Sequence, residues 1–156
     1  MKTVSEKTTE ALSDLVIINN DRYEGYQKAM ELTKDSDLKS LFSKLSSQSK
    51  TYSSELRTLI PFKDDAPKRD ETRTSGKFYR AWMDVKTALA SNDRKAVLNS
   101  CEYGEDVAKK TYEDTLKDSE NIPSNVLTCI KKQHSEIIHA HDTIKSLRDA
   151  EKAKSN

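Results

Sequence analysis

The sequence predicts an all-α protein: a bundle of four long helices, with a fifth, short helix in the connection between the second and third. Three observations predict it. Glycine and proline are scarce, three of each in 156 residues, so the chain has few places to turn. Apolar residues recur at three- and four-residue spacing along four long stretches. Apolar and charged residues are equally common, at 34% each, which suits helices that need only one apolar stripe apiece. The length is that of one domain, taken as residues 1–156.

The first helix is expected from about Ser5 to Lys34, with Leu12, Leu15, Ile18, Asn19, Arg22, Tyr26, Ala29 and Met30 facing inward. Asp35 or Ser36 caps a second helix after a very short turn, which makes the pair antiparallel neighbours. That helix is expected to bury Leu38, Leu41, Leu45, Gln48, Tyr52, Leu56 and Leu59, and Pro61 marks its end. Phe62 to about Thr74 reads as a polar loop with nothing to bury. A short amphipathic helix follows from about Ser75 to Ala90, with Phe78, Trp82, Val85 and Leu89 on one face. Trp82 and Phe78 are expected to dock it onto the bundle. Ser91-Asn92-Asp93 breaks it and caps the next helix, to about Lys117, which turns Val97, Cys101, Glu105, Ala108, Tyr112 and Thr115 inward. Pro123 opens the last helix, to about Lys152, and residues 153–156 are expected to fray.

The connection over residues 62–91 is about as long as a bundle helix, and simple up-and-down order has no use for it. Its natural use is to carry the chain back along the bundle so that the second and third long helices run parallel. That is the connection of ferritin-like bundles.

Several stretches carry a resemblance along the chain. They are Ile18-Asn19-Asn20-Asp21 and Glu24-Gly25-Tyr26 in the first helix, and Gln48 and Glu55-Leu56 in the second. Ala81-Trp82-Met83-Asp84 lies in the crossover helix, and Cys101-Glu102, Gly104-Glu105-Asp106 and Tyr112 in the third long helix. Gln133, Ala140-His141-Asp142 and Leu147-Arg148-Asp149 complete the set. Together, from about Ala11 to Ala150, they resemble an uncharacterised bacterial family of ferritin-like four-helix-bundle proteins, a family built on a domain of unknown function. The resemblance implies the ferritin-like fold in a bacterial cell and transfers no activity.

Ferritin-like di-iron sites take a Glu from each of two helices and Glu-x-x-His from each of the other two, all pointing inward. Glu136-Ile137-Ile138-His139 has that spacing. At about 100° per residue, however, His139 falls nearly opposite the stripe of Val126, Ile130, Ile137 and Ile144. Glu24 lies roughly 180° from Leu15, and Gln48 is an amide where a bridging carboxylate is wanted. Glu105 and the flanking His141 remain as a weak pair for one metal ion. The competing account is a buried polar network of Asn19, Arg22, Gln48, Tyr52, Glu105, Gln133 and His141. A buried guanidinium needs a carboxylate, and Glu105 matches Arg22 by face and height.

No Ser-His-Asp, Cys-His or glycine-loop arrangement is supported by face and spacing, so the enzyme question leans to no. A net charge of +1 with interleaved signs leaves no footprint for nucleic acid, and no apolar run approaches membrane length. Cys101 and Cys129 read as buried or half-buried free thiols, His134 and His139 as solvent-exposed histidines.

These readings lead to a cytoplasmic, non-catalytic bundle without a cofactor, acting through its surface or as a homodimer through positions such as Ile17. Fold analogy alone extends it to stress physiology. The alternatives are a divergent metal-binding or di-iron oxidoreductase using iron, manganese or zinc, and a small-ligand carrier.

Overall fold

A computed structural model describes residues 1–72 and 76–154, with only the backbone of Lys77. The described chain is all-helical: α1 Val4–Leu32, α2 Ser36–Leu59, α3 Gly76–Ala90, α4 Arg94–Leu116 and α5 Ser124–Lys154. Short 3-10 turns at Lys63–Asp65 and Ser119–Asn121 complete it. The expected start of the crossover helix at Ser75 and the ends of the fraying tail, Ser155 and Asn156, lie outside the described residues. Ala153 and Lys154, expected to fray, are still helical.

Local chemistry sets the boundaries. Thr3 and Glu6 form a reciprocal capping box at the start of α1: Thr3 Oγ1 accepts from the Glu6 amide at 3.1 Å, and the Thr3 amide donates to Glu6 at 3.3 Å. Asp93 caps α4 by accepting from the Ala96 amide at 3.1 Å. Asn92, at φ 54°, supplies the left-handed turn between α3 and α4, a conformation asparagine tolerates better than most residues.

The hydrogen bonds give the helix directions. Arg94, at the start of α4, pairs with Asp35 and Asp37 beside the start of α2 and with Glu151 near the end of α5. At the other end, Thr8 near the start of α1 donates to the Asn121 carbonyl just before α5. Hence α2 and α4 run parallel, α1 and α5 run opposite to them, and the chain between Ile60 and Asp93 returns the length of the molecule. The four long helices form two antiparallel hairpins, α1/α2 and α4/α5, around one apolar core.

As far as Thr72, the return path is a packed strap. Pro67 is buried, and its carbonyl accepts from Arg57 at 2.7 Å. The Glu71 carbonyl accepts from Asn20, whose Oδ1 accepts from Ser53. These contacts correct the expectation of a loop with nothing to bury, and they explain why Asn20 is buried off the main stripe of α1. α3 then lies on α1 and α4. The Trp82 ring covers Gly25 so closely that a Cβ there would sit 2.3 Å from it, and it meets Tyr26 edge-on at 4.7 Å. A mid-helix glycine costs ~1 kcal/mol relative to alanine, and this contact is its reason.

On α2, Phe42 is fully buried and stacks on Tyr26 at 5.7 Å, whereas Leu41, Gln48 and Leu59 are only half-buried. Cys101 is a buried free thiol and Cys129 a half-buried one. Among the described residues, no helix is long and apolar enough to cross a membrane.

Candidate functional site

On α1 the apolar stripe is interrupted at mid-length. Leu15 and Ile18 are followed by Asn19 and Arg22 on the same face, and the stripe resumes at Tyr26. Both interrupting side chains are fully buried, so each needs partners. α4 runs antiparallel beside α1 and supplies Glu105, also fully buried, one turn from Cys101 and Ala108.

Arg22 grips Glu105 with two parallel hydrogen bonds, Nε to Oε1 at 3.0 Å and one terminal nitrogen to Oε2 at 3.1 Å. The same terminal nitrogen donates to Gln48 Oε1 at 3.2 Å, and the other donates to Asn19 Oδ1 at 3.3 Å. The Tyr26 hydroxyl donates to Glu105 Oε1 in a short bond. Asn19 Nδ2 donates to the Tyr112 hydroxyl at 2.7 Å, and Tyr112 donates to Gln133 Oε1 at 2.7 Å. Gln133 donates in turn to Glu55 at 3.3 Å and toward the Tyr52 carbonyl at 3.5 Å. The Tyr52 hydroxyl points elsewhere, to Glu136 at 2.7 Å. The result is a connected polar column through the middle of the molecule.

The electrostatics at its centre follow from burial and the Glu105 carboxylate. Burial is the largest influence on Arg22 and opposes its charge, but Glu105 together with Tyr26 and Tyr112 more than offsets it, and the guanidinium is held above its ordinary value. Burial first, and then the Glu105 carboxylate, pushes the Tyr26 phenol well up. The Cys101 thiol is raised for the same two reasons, and Tyr112 is raised mainly by burial. None of these groups is poised to exchange protons near neutrality.

Asn19, Arg22, Gln48, Glu105 and Gln133 therefore meet in this column, with Tyr52 at its edge through its carbonyl. His141 does not join it, which corrects the expectation for both the network and the Glu105–His141 metal pair. It sits on the seam between α4 and α5, where its Nε2 lies 2.8 Å from Asp106 and 3.7 Å from Glu102. The reason is geometric: a flank position of α5 faces the neighbouring helix, and the flank residues of α4 meet it there. His134 is likewise half-buried, 3.1 Å from Glu113 and stacked on Tyr112, where an exposed histidine was expected. His139 is exposed. Glu102 and Asp106 carry the family resemblance in the sequence but no site role there; acids four residues apart on the flank of one helix, with a histidine on the flank of the next, are the signal for one.

A family model described as a domain of unknown function, DUF2383, matches residues 7–118. The chain belongs to that family. The DUF2383 match takes in α1 from its second turn and all of α2 to α4, and so Asn19, Arg22, Tyr26, Gln48, Glu105 and Tyr112; Gln133 and His141 on α5 lie beyond it. No curated protein matches the chain.

The centre does not suit a di-metal site of the kind that ferritin-like bundles hold. Its one carboxylate is already held by a guanidinium and a phenol. A permanent cation occupies the midpoint, where it would repel two metal ions. Glu24 and His139 are exposed, while Glu55 and Glu136 serve Gln133 and Tyr52 at the column's edge.

Proposed function

We propose that the chain is a ferritin-like four-helix bundle in which a buried ion-pair network takes the place of a di-metal centre, and that it works without catalysis, through its surface. The observation that carries this reading is the fully buried Arg22, bidentate on Glu105 at mid-bundle. The parallel run of α2 and α4 supports the ferritin-like connection. Two free cysteines suit the reducing cytoplasm of a bacterial cell.

The surface most suited to self-association is the face shared by α1 and α3. Ile17, the position expected to mediate it, is half-buried. Leu32, Tyr79 and Met83 are the large apolar side chains left exposed around a groove there, beside Glu24, Lys28 and Lys86. That mixture of an apolar centre and both charge signs fits a second copy of the same face.

Two measurements test the reading. Ferrous ion in air should oxidise at the buffer rate with or without the protein; an acceleration abolished by Glu105→Gln would overturn it in favour of a di-iron oxidoreductase. Sedimentation should show a dimer that Met83→Glu dissociates, and a monomer at every concentration would remove self-association from the proposal.

A further inference from the structure

The α4–α5 seam carries a second cluster that the central network does not use. Glu102 and Asp106 stand one turn apart on α4, and His141 faces them from α5. One donor atom from each lies within 4.8 Å of the others. Glu102 and His141 are only 13% exposed, whereas Asp106 is 51% exposed, so the cluster is walled on one side and open to water on the other.

We propose that Glu102, Asp106 and His141 form a binding site for one first-row divalent cation, with Zn2+ the best match. The donor set is right for such an ion: one imidazole and two carboxylates, whose charges balance the metal's, with an open position for water. The spacing is close to what it needs. Zinc bonds to N and O of about 2.0–2.2 Å place tetrahedral ligands about 3.3 Å apart. The distances from His141 Nε2, 2.8 Å to Asp106 and 3.7 Å to Glu102, bracket that value. The half-exposed Asp106 is free to swing the remaining distance.

What separates this cluster from an ordinary patch of surface acids is the way its ligands are held from behind. His141 turns its other nitrogen, Nδ1, to Asp142 at 3.1 Å, which leaves Nε2 directed at the two acids of α4. Arg148 grips Glu102 Oε2 and is itself braced by Asp149 at 3.0 Å, which leaves Glu102 Oε1 on the His141 side. Supporting contacts of this kind orient metal ligands, and removing one costs 10–100-fold in affinity in known metal sites. A bound ion would tie α5, which lies beyond the matched family region, to α4, which lies within it. The site is separate from the Arg22–Glu105 centre and stands whether or not the non-catalytic reading does.

The test is calorimetric titration of the chelator-stripped full chain with ZnCl2. One equivalent should bind, with MnCl2 bound more weakly, as the usual order of divalent affinities requires. His141→Gln and Asp106→Asn should each weaken Zn2+ binding about 10-fold or more, Arg148→Met about 10-fold, and His139→Ala not at all. Asp106 is exposed enough that its variant keeps the fold, and circular dichroism checks the others. Absence of Zn2+ binding, binding unchanged in Asp106→Asn and His141→Gln, or Mn2+ bound as tightly as Zn2+ would each overturn the proposal.

Discussion

Replacing Arg22 by methionine removes the guanidinium and nearly preserves the volume of its stem. Glu105 then loses both parallel bonds, at 3.0 and 3.1 Å, and keeps only the Tyr26 hydroxyl. Asn19 and Gln48 each lose a donor. Stripping one partner from a buried ion pair costs about 3–5 kcal/mol, against a total stability of about 5–15 kcal/mol for an ordinary domain. In a chain of this length, that lowers the thermal midpoint by roughly 6–20 °C. Glu105→Met should cost more than Arg22→Met, because an arginine cannot shed its charge whereas a carboxyl group can take up a proton. The double variant Arg22→Met/Glu105→Met removes both charges, so its loss should fall short of the sum of the singles by about 2–3 kcal/mol. Equilibrium urea unfolding followed by circular dichroism reads all four proteins, and unchanged m-values show that the same transition is compared. If Arg22→Met stays within about 0.5 kcal/mol of the parent, or if the two losses simply add, the pair is not the energetic centre of the molecule.

Three further outcomes follow from the same contacts. Gly25→Ala should destabilise by about 1–2 kcal/mol despite alanine's better helix propensity, because its Cβ would meet the Trp82 ring at 2.3 Å; the tryptophan emission should shift to the red, and a more stable variant would show that α3 is not docked there. The phenols of Tyr26, Tyr52 and Tyr112 are all held above the ordinary value of 10.0, chiefly by burial, so the folded state keeps protons that the unfolded state loses. Stability from these groups is complete below about pH 10 and falls as the pH rises above it; urea midpoints measured across that range check the sign, and a flat profile would contradict it. Cys101, buried and raised by burial, should react with an aromatic disulfide reagent only when the chain unfolds, whereas half-buried Cys129 should react slowly in the native protein.

Helical periodicity reaches some of this structure and stops short of the rest for identifiable reasons. A stripe at 3–4 spacing states which face of a helix is buried, so Leu15, Ile18, Arg22 and Tyr26 on α1 and Cys101, Glu105 and Tyr112 on α4 could be read as inward before any partner was known. It states nothing about which neighbour a flank residue meets. His141 lies about 40° from Ile137 on an ideal wheel, close enough to read as inward, yet it meets Glu102 and Asp106 across the seam. Pro67 and Asn20 escaped because the strap over them has no period of its own. Phe42 escaped because α2 is covered on a broader face than one stripe describes. The glycine at 25 was legible in principle: a glycine inside a long helix needs a reason, and a tryptophan on a short amphipathic helix is the sort of side chain that supplies one.

The polar centre has a structural consequence that an apolar one would lack. α1 packs closely on α2, and α4 on α5, but the two hairpins approach each other less closely. Long polar side chains span much of that gap: Arg22 to Glu105 and Asn19 to Tyr112 between α1 and α4, and Tyr52 to Glu136 and Gln133 to Glu55 between α2 and α5. Apolar side chains oppose a slide of one helical turn, about 5.4 Å, only through the packing they lose. A bidentate pair adds to that opposition, since the slide would leave a guanidinium and a carboxylate both buried and both alone. The network therefore selects one register of hairpin on hairpin. That register is also the one that brings Arg94 to Asp35 and Asp37 at one end and Thr8 to Asn121 at the other, so the central pair and the two ends specify the same alignment.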